Sequence, residues 1–175
     1  MSVMPEAAPP EVRSARTDDV RIIRHLVDTY APDRRLLSKA TVTLFEDIQE
    51  FVVAEIDGEV VGCGALHVMW ADLAEVRTVA VLPGMVRRGV GRTIVTALVD
   101  RARGLGVTRV FCLTFEVDFF ARLGFTEITG TPVSSDVFAE LLRSEDEGVA
   151  EFLDLERVKP NTLGNSRMLL RLTRA

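Results

Sequence analysis

Val81-Leu-Pro-Gly-Met-Val-Arg-Arg-Gly-Val-Gly-Arg-Thr-Ile-Val95 carries an apolar, β-branched run into a glycine-rich basic turn and then into the first apolar positions of a helix. Gly89 and Gly91 have no Cβ to hold a neighbour off the backbone. The first N–H groups of the helix that follows lack intrahelical partners, and with the positive end of the helix dipole they face whatever sits at the turn. Arg87, Arg88 and Arg92 add mobile positive charge. Two readings of this turn stand at this point: a cradle suited to a phosphate group, or a tight strand-to-helix corner with solvated arginines.

Working outward, strands and helices alternate. Val12–Arg16 reads as a first strand, and Thr17 or Asp18 as the cap of a helix bearing Ile22, Ile23, Leu26 and Val27 on one face. After a loop with Pro32 and Arg34-Arg35, Ser38 or Thr41 starts a second helix through about Ile48. Strands Phe51–Ile56 and Glu59–Met69 flank Asp57-Gly58, the strongest short hairpin signal in the chain. Glu75–Leu82 is the strand that enters the turn. The helix beyond it places Ile94, Leu98, Ala102 and Leu105 on one stripe and stops at Gly104 or Gly106. Arg109–Thr114 reads as a strand, Glu116–Leu123 as a short helix ended by Gly124, Ser135–Leu142 as one helix in an otherwise polar stretch, and Met168–Leu172 as the last strand.

The 175 residues suit one ordinary domain, expected over residues 12–175 behind a Pro- and Ala-rich disordered leader at 1–11. With 26 acidic against 21 basic side chains the net charge is −5, which argues against a nucleic-acid binder and for a local site holding a small anionic ligand. Cys63 and Cys112 lie in apolar strand-like runs and give no disulfide framework. His25 and His67 have no partner at metal-ligand spacing, so no metal is expected. No apolar run approaches the roughly 20 residues that span a bilayer, and a cytoplasmic setting without membrane attachment follows by elimination.

The order of a helix-rich start, an Asp-Gly hairpin, a strand, an R-x-x-G-x-G-like turn, a helix, a strand and a short helix ending Leu123-Gly-Phe125 resembles the GCN5-related N-acetyltransferases over roughly residues 12–130. The resemblance implies an α/β fold with a mixed central sheet flanked by helices and a splayed strand pair. It further implies acetyl-CoA as co-substrate. Its pyrophosphate falls on the turn, at Val86, Arg87, Arg88, Gly89, Val90, Gly91 and Arg92, and its pantetheine arm on the backbone of Val79, Ala80 and Val81. One departure is visible: Val86 stands where the family usually has Arg or Gln.

Arg34-Arg-Leu-Leu-Ser-Lys39, Ile48-x-x-Phe51-Val-Val-Ala-Glu55, Gly62-Cys-Gly-Ala-Leu66 and above all Asp72-Leu-Ala-Glu-Val-Arg-Thr-Val-Ala-Val81 resemble the acetyltransferase domain of bacterial N-acetylglutamate synthases. The kinase-like domain that often precedes it there is absent, so the resemblance implies a short, stand-alone form acting in arginine biosynthesis on glutamate, with glutamine as a further acceptor.

The chemistry supplies an independent check. An amino acid's ammonium must lose a proton before its nitrogen attacks a thioester, and a carboxylate on the strand before the turn is a suitable base. Glu75 holds that place, and the resemblance assigns it that role; the plainer reading is a strand-end carboxylate paired with Arg77 or facing solvent. Many acetyltransferases use a tyrosine before Leu-Gly-Phe as proton donor, but Phe119 and Phe120 stand there. Thr114 matches a hydroxyl position near the sulfur, or simply finishes a strand. For the acceptor's carboxylates the resemblance implies Lys39, at a position where Arg is usual, and Arg167, displaced by a few positions from a basic residue before the last strand; Arg77 shares a strand face with Glu75, and Lys39 and Arg77 are equally surface ion-pair members.

Three further readings compete with this one. Acetylation of another amine requires an acidic acceptor pocket, against which Lys39, Arg77 and Arg34-Arg35 speak. A non-catalytic acyl-CoA-binding module suits the missing tyrosine but not Glu75. A dinucleotide-binding unit fails on the absent third glycine and distal acid. Exposed strand edges leave a homodimer open, and the acidic Glu140–Glu156 stretch reads as a lid, a partner surface or, most simply, a solvated helix and loop.

Overall fold

The structure, a computed structural model, describes residues 8–32 and 39–173. Most of the leader, the Arg34-Arg35 pair and Ser38 lie outside the described residues. The strands are β1 (Glu11–Ser14), β2 (Phe51–Ile56), β3 (Glu59–Trp70), β4 (Leu73–Val81), β5 (Arg109–Thr114), β6 (Thr126–Glu127) and β7 (Ser166–Arg171). They form one seven-stranded sheet in the order β1-β2-β3-β4-β5-β7-β6. The β4–β5 pair is parallel, whereas β1–β2, β2–β3, β5–β7 and β6–β7 are antiparallel, so the sheet is mixed as expected. The helices are α1 (Val20–Tyr30), α2 (Thr41–Glu46), α3 (Val90–Gly104), α4 (Val117–Ala121), α5 (Ser135–Leu141), α6 (Glu147–Phe152) and α7 (Lys159–Thr162). Among the described residues no helix is long and apolar enough to cross a membrane.

The chain divides into two compact units, Met1–Ala65 with Thr78–Val99 and Leu66–Arg77 with Asp100–Ala175; β3, β4 and α3 each contribute to both. The first unit buries the inner face of α1, where Val20, Ile23, Leu26 and Val27 pack with Leu44, Phe51, Val53 and Cys63. Full burial of such a Leu, Ile or Phe stabilises by roughly 1.5–3 kcal/mol. The expected cap of α1 is corrected: Thr17 and Asp18 make no cap bond, and the Asp19 carboxylate instead accepts from the Arg16 N–H at 2.7 Å and from the Arg13 guanidinium at 2.8 and 3.0 Å. That pairing, opposed by burial, holds the Asp19 carboxyl below the usual range. The β2–β3 hairpin turns at Asp57 (φ 52°) and Gly58 (φ 80°), both left-handed as a type I′ turn requires. Two glycines of β3 let α3 approach closely: a Cβ on Gly62 would lie 2.9 Å from Ile94, and one on Gly64 would lie 2.6 Å from Ile94 and 3.0 Å from Leu98.

The second unit centres on Leu73, Phe111, Leu141, Val149, Phe152, Leu153 and Leu169. Phe111 and Phe152 meet edge to face with ring centroids 5.0 Å apart. Two expectations fail here. Leu105 does not extend the α3 stripe; it lies past the end of the helix, 59% exposed. The acidic stretch is not a solvated helix and loop, because α6 lies inside it and Val149, Ala150, Phe152 and Leu153 are buried. The acids along the stretch mask an apolar i, i+3, i+4 set at Val149, Phe152 and Leu153, and one of them, Glu151, is itself buried.

Candidate active site

The turn has the expected form. Val86 is extended and half exposed, Arg87 (φ 68°) and Gly89 (φ 80°) are left-handed, and Val90 opens α3 with its side chain buried. Thr93 donates its N–H to the Gly89 carbonyl at 3.0 Å, so the helical ladder starts at Gly89 and the N–H groups of the first turn have no carbonyl ahead of them. Nothing lies within 4 Å of the position a Gly89 Cβ would take. Its hydrogen serves backbone conformation and leaves the space over the turn open. Arg87, Arg88 and Arg92 are exposed.

The strand entering the turn changes character at Thr78. This buried, β-branched residue has φ 57°, a conformation that costs about 1–3 kcal/mol and persists only when its surroundings impose it. Its carbonyl accepts from the Cys63 thiol at 3.6 Å, and burial pushes that thiol up to about 12. The parallel ladder with β5 has already ended, at Glu75↔Phe111, while β4 runs on to Val81. The Val81 carbonyl is itself taken: the Tyr30 hydroxyl, at the end of α1, donates to it.

Glu75 is 4% exposed, on a strand whose neighbours Leu73, Ala74 and Val76 are all buried. Arg77 lies on the same face, two residues on. The Arg77 Nε is 3.6 Å from Glu75 Oε2, and its Nη1 donates to both Asp146 oxygens at 2.9 and 3.0 Å. Asp146 also caps α6 by accepting the Val149 N–H at 2.9 Å, and stands 3.9 Å from His67 Nε2. Burial opposes the Asp146 charge, but Arg77, His67 and the helix N–H together hold its carboxyl below the usual range. Asp146 and His67 were not singled out as site residues; an Asp placed three residues before Val149 was the signal available.

Thr114, 8% exposed at the end of β5, accepts the Glu116 N–H at 2.8 Å, which leaves its hydroxyl proton available for donation. Two residues earlier on β5, Cys112 has its thiol pushed well up by burial and by the Glu75 charge. Arg167 stacks over the rings of Phe111 and Phe152 at 5.0 and 5.9 Å. It donates to the carbonyls of Gly130 and Glu151 at 3.1 and 3.2 Å and to that of Phe152, so backbone takes three of its five donors. Burial pushes its guanidinium below the ordinary arginine value against the pull of Asp154 and Glu75. Glu75, Arg77, Thr114 and Arg167 thus belong to the second unit, whereas the turn and Lys39 belong to the first. Lys39 is half-buried, and its carbonyl accepts from Arg24.

Residues 20–125 match the Acetyltransferase (GNAT) family. An amino-acid acetyltransferase of Mycobacterium tuberculosis is 61% identical over 173 residues, covering 97% of this chain and 99% of that protein. Among solved structures, a Mycobacterium tuberculosis protein in complex with CoA and NLQ superposes with a TM-score of 0.91 at 62% identity, over 93% of this chain and 99% of its own. N-acetylglutamate synthase from Neisseria gonorrhoeae, complexed with coenzyme A and N-acetyl-glutamate, superposes with a TM-score of 0.76 at 25% identity; it covers 97% of this chain, which spans 36% of that protein. The order of strands, the glycine turn opening α3 and these matches agree: the chain belongs to the GNAT acetyltransferase family.

Proposed function

We propose that this chain transfers the acetyl group of acetyl-CoA to the α-amino group of L-glutamate, with glutamine a further acceptor. The observation that carries the reading is Glu75, a buried carboxylate on an otherwise apolar stretch of β4, where the ladder with β5 ends. Burial penalises the charge of a carboxylate in such a place, and groups placed at that cost are concentrated at sites of chemistry. The relatives named above add an amino-acid acetyltransferase and complexes with CoA, NLQ and N-acetyl-glutamate.

In this mechanism Glu75 takes a proton from the acceptor ammonium, directly or through one water, and the freed amine attacks the thioester carbonyl carbon. The tetrahedral adduct collapses with cleavage of the C–S bond. The adduct nitrogen releases its second proton to water, and the CoA thiolate gains one from water, directly or relayed through the Thr114 hydroxyl, which is reprotonated from that water as it donates. No acyl-enzyme forms. The pyrophosphate lies on the Val86–Arg92 turn, held by backbone N–H groups with Arg87, Arg88 and Arg92 around it. This explains how Val86 is tolerated, because peptide groups carry most of the cradle. The pantetheine arm pairs with β4 at Val79 to Val81, through groups other than the Val81 carbonyl, which Tyr30 holds. Lys39 and Arg77 are each suited to attract a carboxylate of the acceptor, and Arg167 braces the backbone of its own unit at Gly130, Glu151 and Phe152.

Steady-state transfer from acetyl-CoA to a panel of amino acids and amines tests the reading. Glutamate turns over at least about tenfold faster than lysine or polyamines, a difference of about 1.4 kcal/mol in transition-state binding; no CoA release with any acceptor rejects it. The turn has its own test. Gly89→Val puts a β-branched residue at φ 80°, which costs about 1–3 kcal/mol. It raises the KM for acetyl-CoA about tenfold while the KM for the acceptor stays within about twofold. An unchanged acetyl-CoA KM removes the turn from the donor site.

A further inference from the structure

The acidic stretch that includes α6 has no part in the reaction as written, yet it reaches β4 through Asp146. We propose that Asp146 is a positioning residue for acetyl transfer: by holding the Arg77 guanidinium it keeps Arg77 from closing onto Glu75, so that Glu75 keeps the basicity its role needs. This rests on the reading of Glu75 as the base.

Two observations carry it. The first is the asymmetry of the Arg77 contacts. Nη1 donates to Asp146 at 2.9 and 3.0 Å, whereas Nε stands 3.6 Å from Glu75 Oε2, beyond direct hydrogen-bond reach. A carboxylate that accepts a full charge-assisted bond from a guanidinium is a weaker base than one that feels the charge at a distance. Asp146 and Glu75 therefore compete for one cation, and Asp146 holds the closer position. The second is Gly148, in the first turn of α6. A Cβ there would fall 2.7 Å from Arg77 Nη1, 2.9 Å from Glu75 Oε2 and 3.1 Å from Asp146 Oδ1. A hydrogen at this position is what lets the three charged groups converge, so the backbone of α6 sets the distance between them.

The charged and titratable groups around Glu75 come from several elements: Arg77 from its own strand, Asp146 from the cap of α6, and His67 from β3 beside Asp146. Arg167 from β7 and the Cys112 thiol from β5 also feel the Glu75 charge. Among these, Asp146 bonds the guanidinium nearest Glu75, and it can be neutralised without changing shape. Asparagine at this position still offers an oxygen to the Val149 N–H and keeps the helix cap. Only the charge is lost, and Arg77 then swings to Glu75.

The test measures kcat and kcat/KM against pH for the full chain in six forms: wild type, Asp146→Asn, Asp146→Glu, Gly148→Ala, Glu75→Gln and the Glu75→Gln/Asp146→Asn pair. Asp146→Asn lowers kcat about tenfold, leaves the KM for acetyl-CoA within about twofold and moves the acid limb of kcat/KM to lower pH. Asp146→Glu restores part of the loss. Gly148→Ala keeps every charge and lowers kcat in the same direction, which keeps the proposal testable if the asparagine variant folds poorly. On the Glu75→Gln background Asp146→Asn costs less than about twofold, because residues acting through one group are not additive. An unmoved acid limb with an unchanged kcat overturns the role of Asp146, as does an equal loss with and without Glu75. Full activity of Glu75→Gln overturns both this proposal and the base assignment; a crippled Glu75→Gln beside a normal Asp146→Asn rejects Asp146 alone.

Discussion

Glu75→Gln lowers kcat/KM for acetyl transfer by about 10² or more, the range expected when a general base is removed. Glutamine has nearly the same shape and still fills the buried slot on β4, so the loss reports proton transfer rather than packing. At about 1.4 kcal/mol per factor of ten this is roughly 2.7 kcal/mol or more of transition-state stabilisation. The pH profile decides the cause. In the wild type kcat/KM falls at low pH as the base becomes protonated; in the variant that limb disappears, because the amide does not titrate in this range. Since Arg77 lies 3.6 Å from the carboxylate and Asp146 bonds Arg77, the variant also removes one of two negative charges facing one guanidinium. Arg77 then turns more fully to Asp146, which adds local order and leaves thermal stability nearly unchanged. A variant as fast as wild type, or one slowed with its acid limb intact, takes Glu75 out of the base role.

Phe152→Ala has the largest expected effect on stability. The ring is fully buried, meets Phe111 edge to face at 5.0 Å and stands 5.9 Å from the Arg167 guanidinium. Truncating a buried Phe costs about 3–5 kcal/mol through lost transfer energy and the cavity left behind. Against a total stability of about 5–15 kcal/mol that is a large share. For a chain of this size each kcal/mol is worth about 2–4 °C, so the melting temperature falls by about 6–20 °C. Circular dichroism melts give the result directly, and a fall of less than about 3 °C shows that the second unit does not depend on this contact. The Arg167 and Thr131 bonds to the Phe152 carbonyl survive the change, since they are made to backbone. The loss is therefore one of packing beneath α6.

What could be read from sequence was what short-range chemistry dictates. Asp57-Gly58 announced its hairpin because few residues adopt two successive left-handed conformations without strain, and the turn at Gly89 announced itself in the same way. Arg109–Thr114 and the buried run of α3 were legible from composition and period. Thr78 was not, since threonine is among the residues least suited to φ 57° and nothing local marks it. The α6 segment was passed over because six residues give too short a window for periodicity, and its burial depends on Phe111 and Leu169 from distant strands. Arg167 shows the same limit from the other side. Its charge suggested a ligand, while the three carbonyls and two rings that hold it come from parts of the chain that only folding brings together. Within the candidate site, strand position made Glu75 and Arg77 visible; Asp146, 69 residues away from Arg77, was not.

The chain holds a single tyrosine and a single tryptophan. Tyr30, bonded to the Val81 carbonyl, belongs to the first compact unit, and Trp70, at the end of β3, belongs to the second. The protein thus comes with one native chromophore per unit, each of a different kind and without engineered labels. Tyrosine absorbance follows the unit that carries the glycine turn, and tryptophan emission follows the unit that carries Glu75. A denaturation series can ask whether the two halves of this enzyme melt as one.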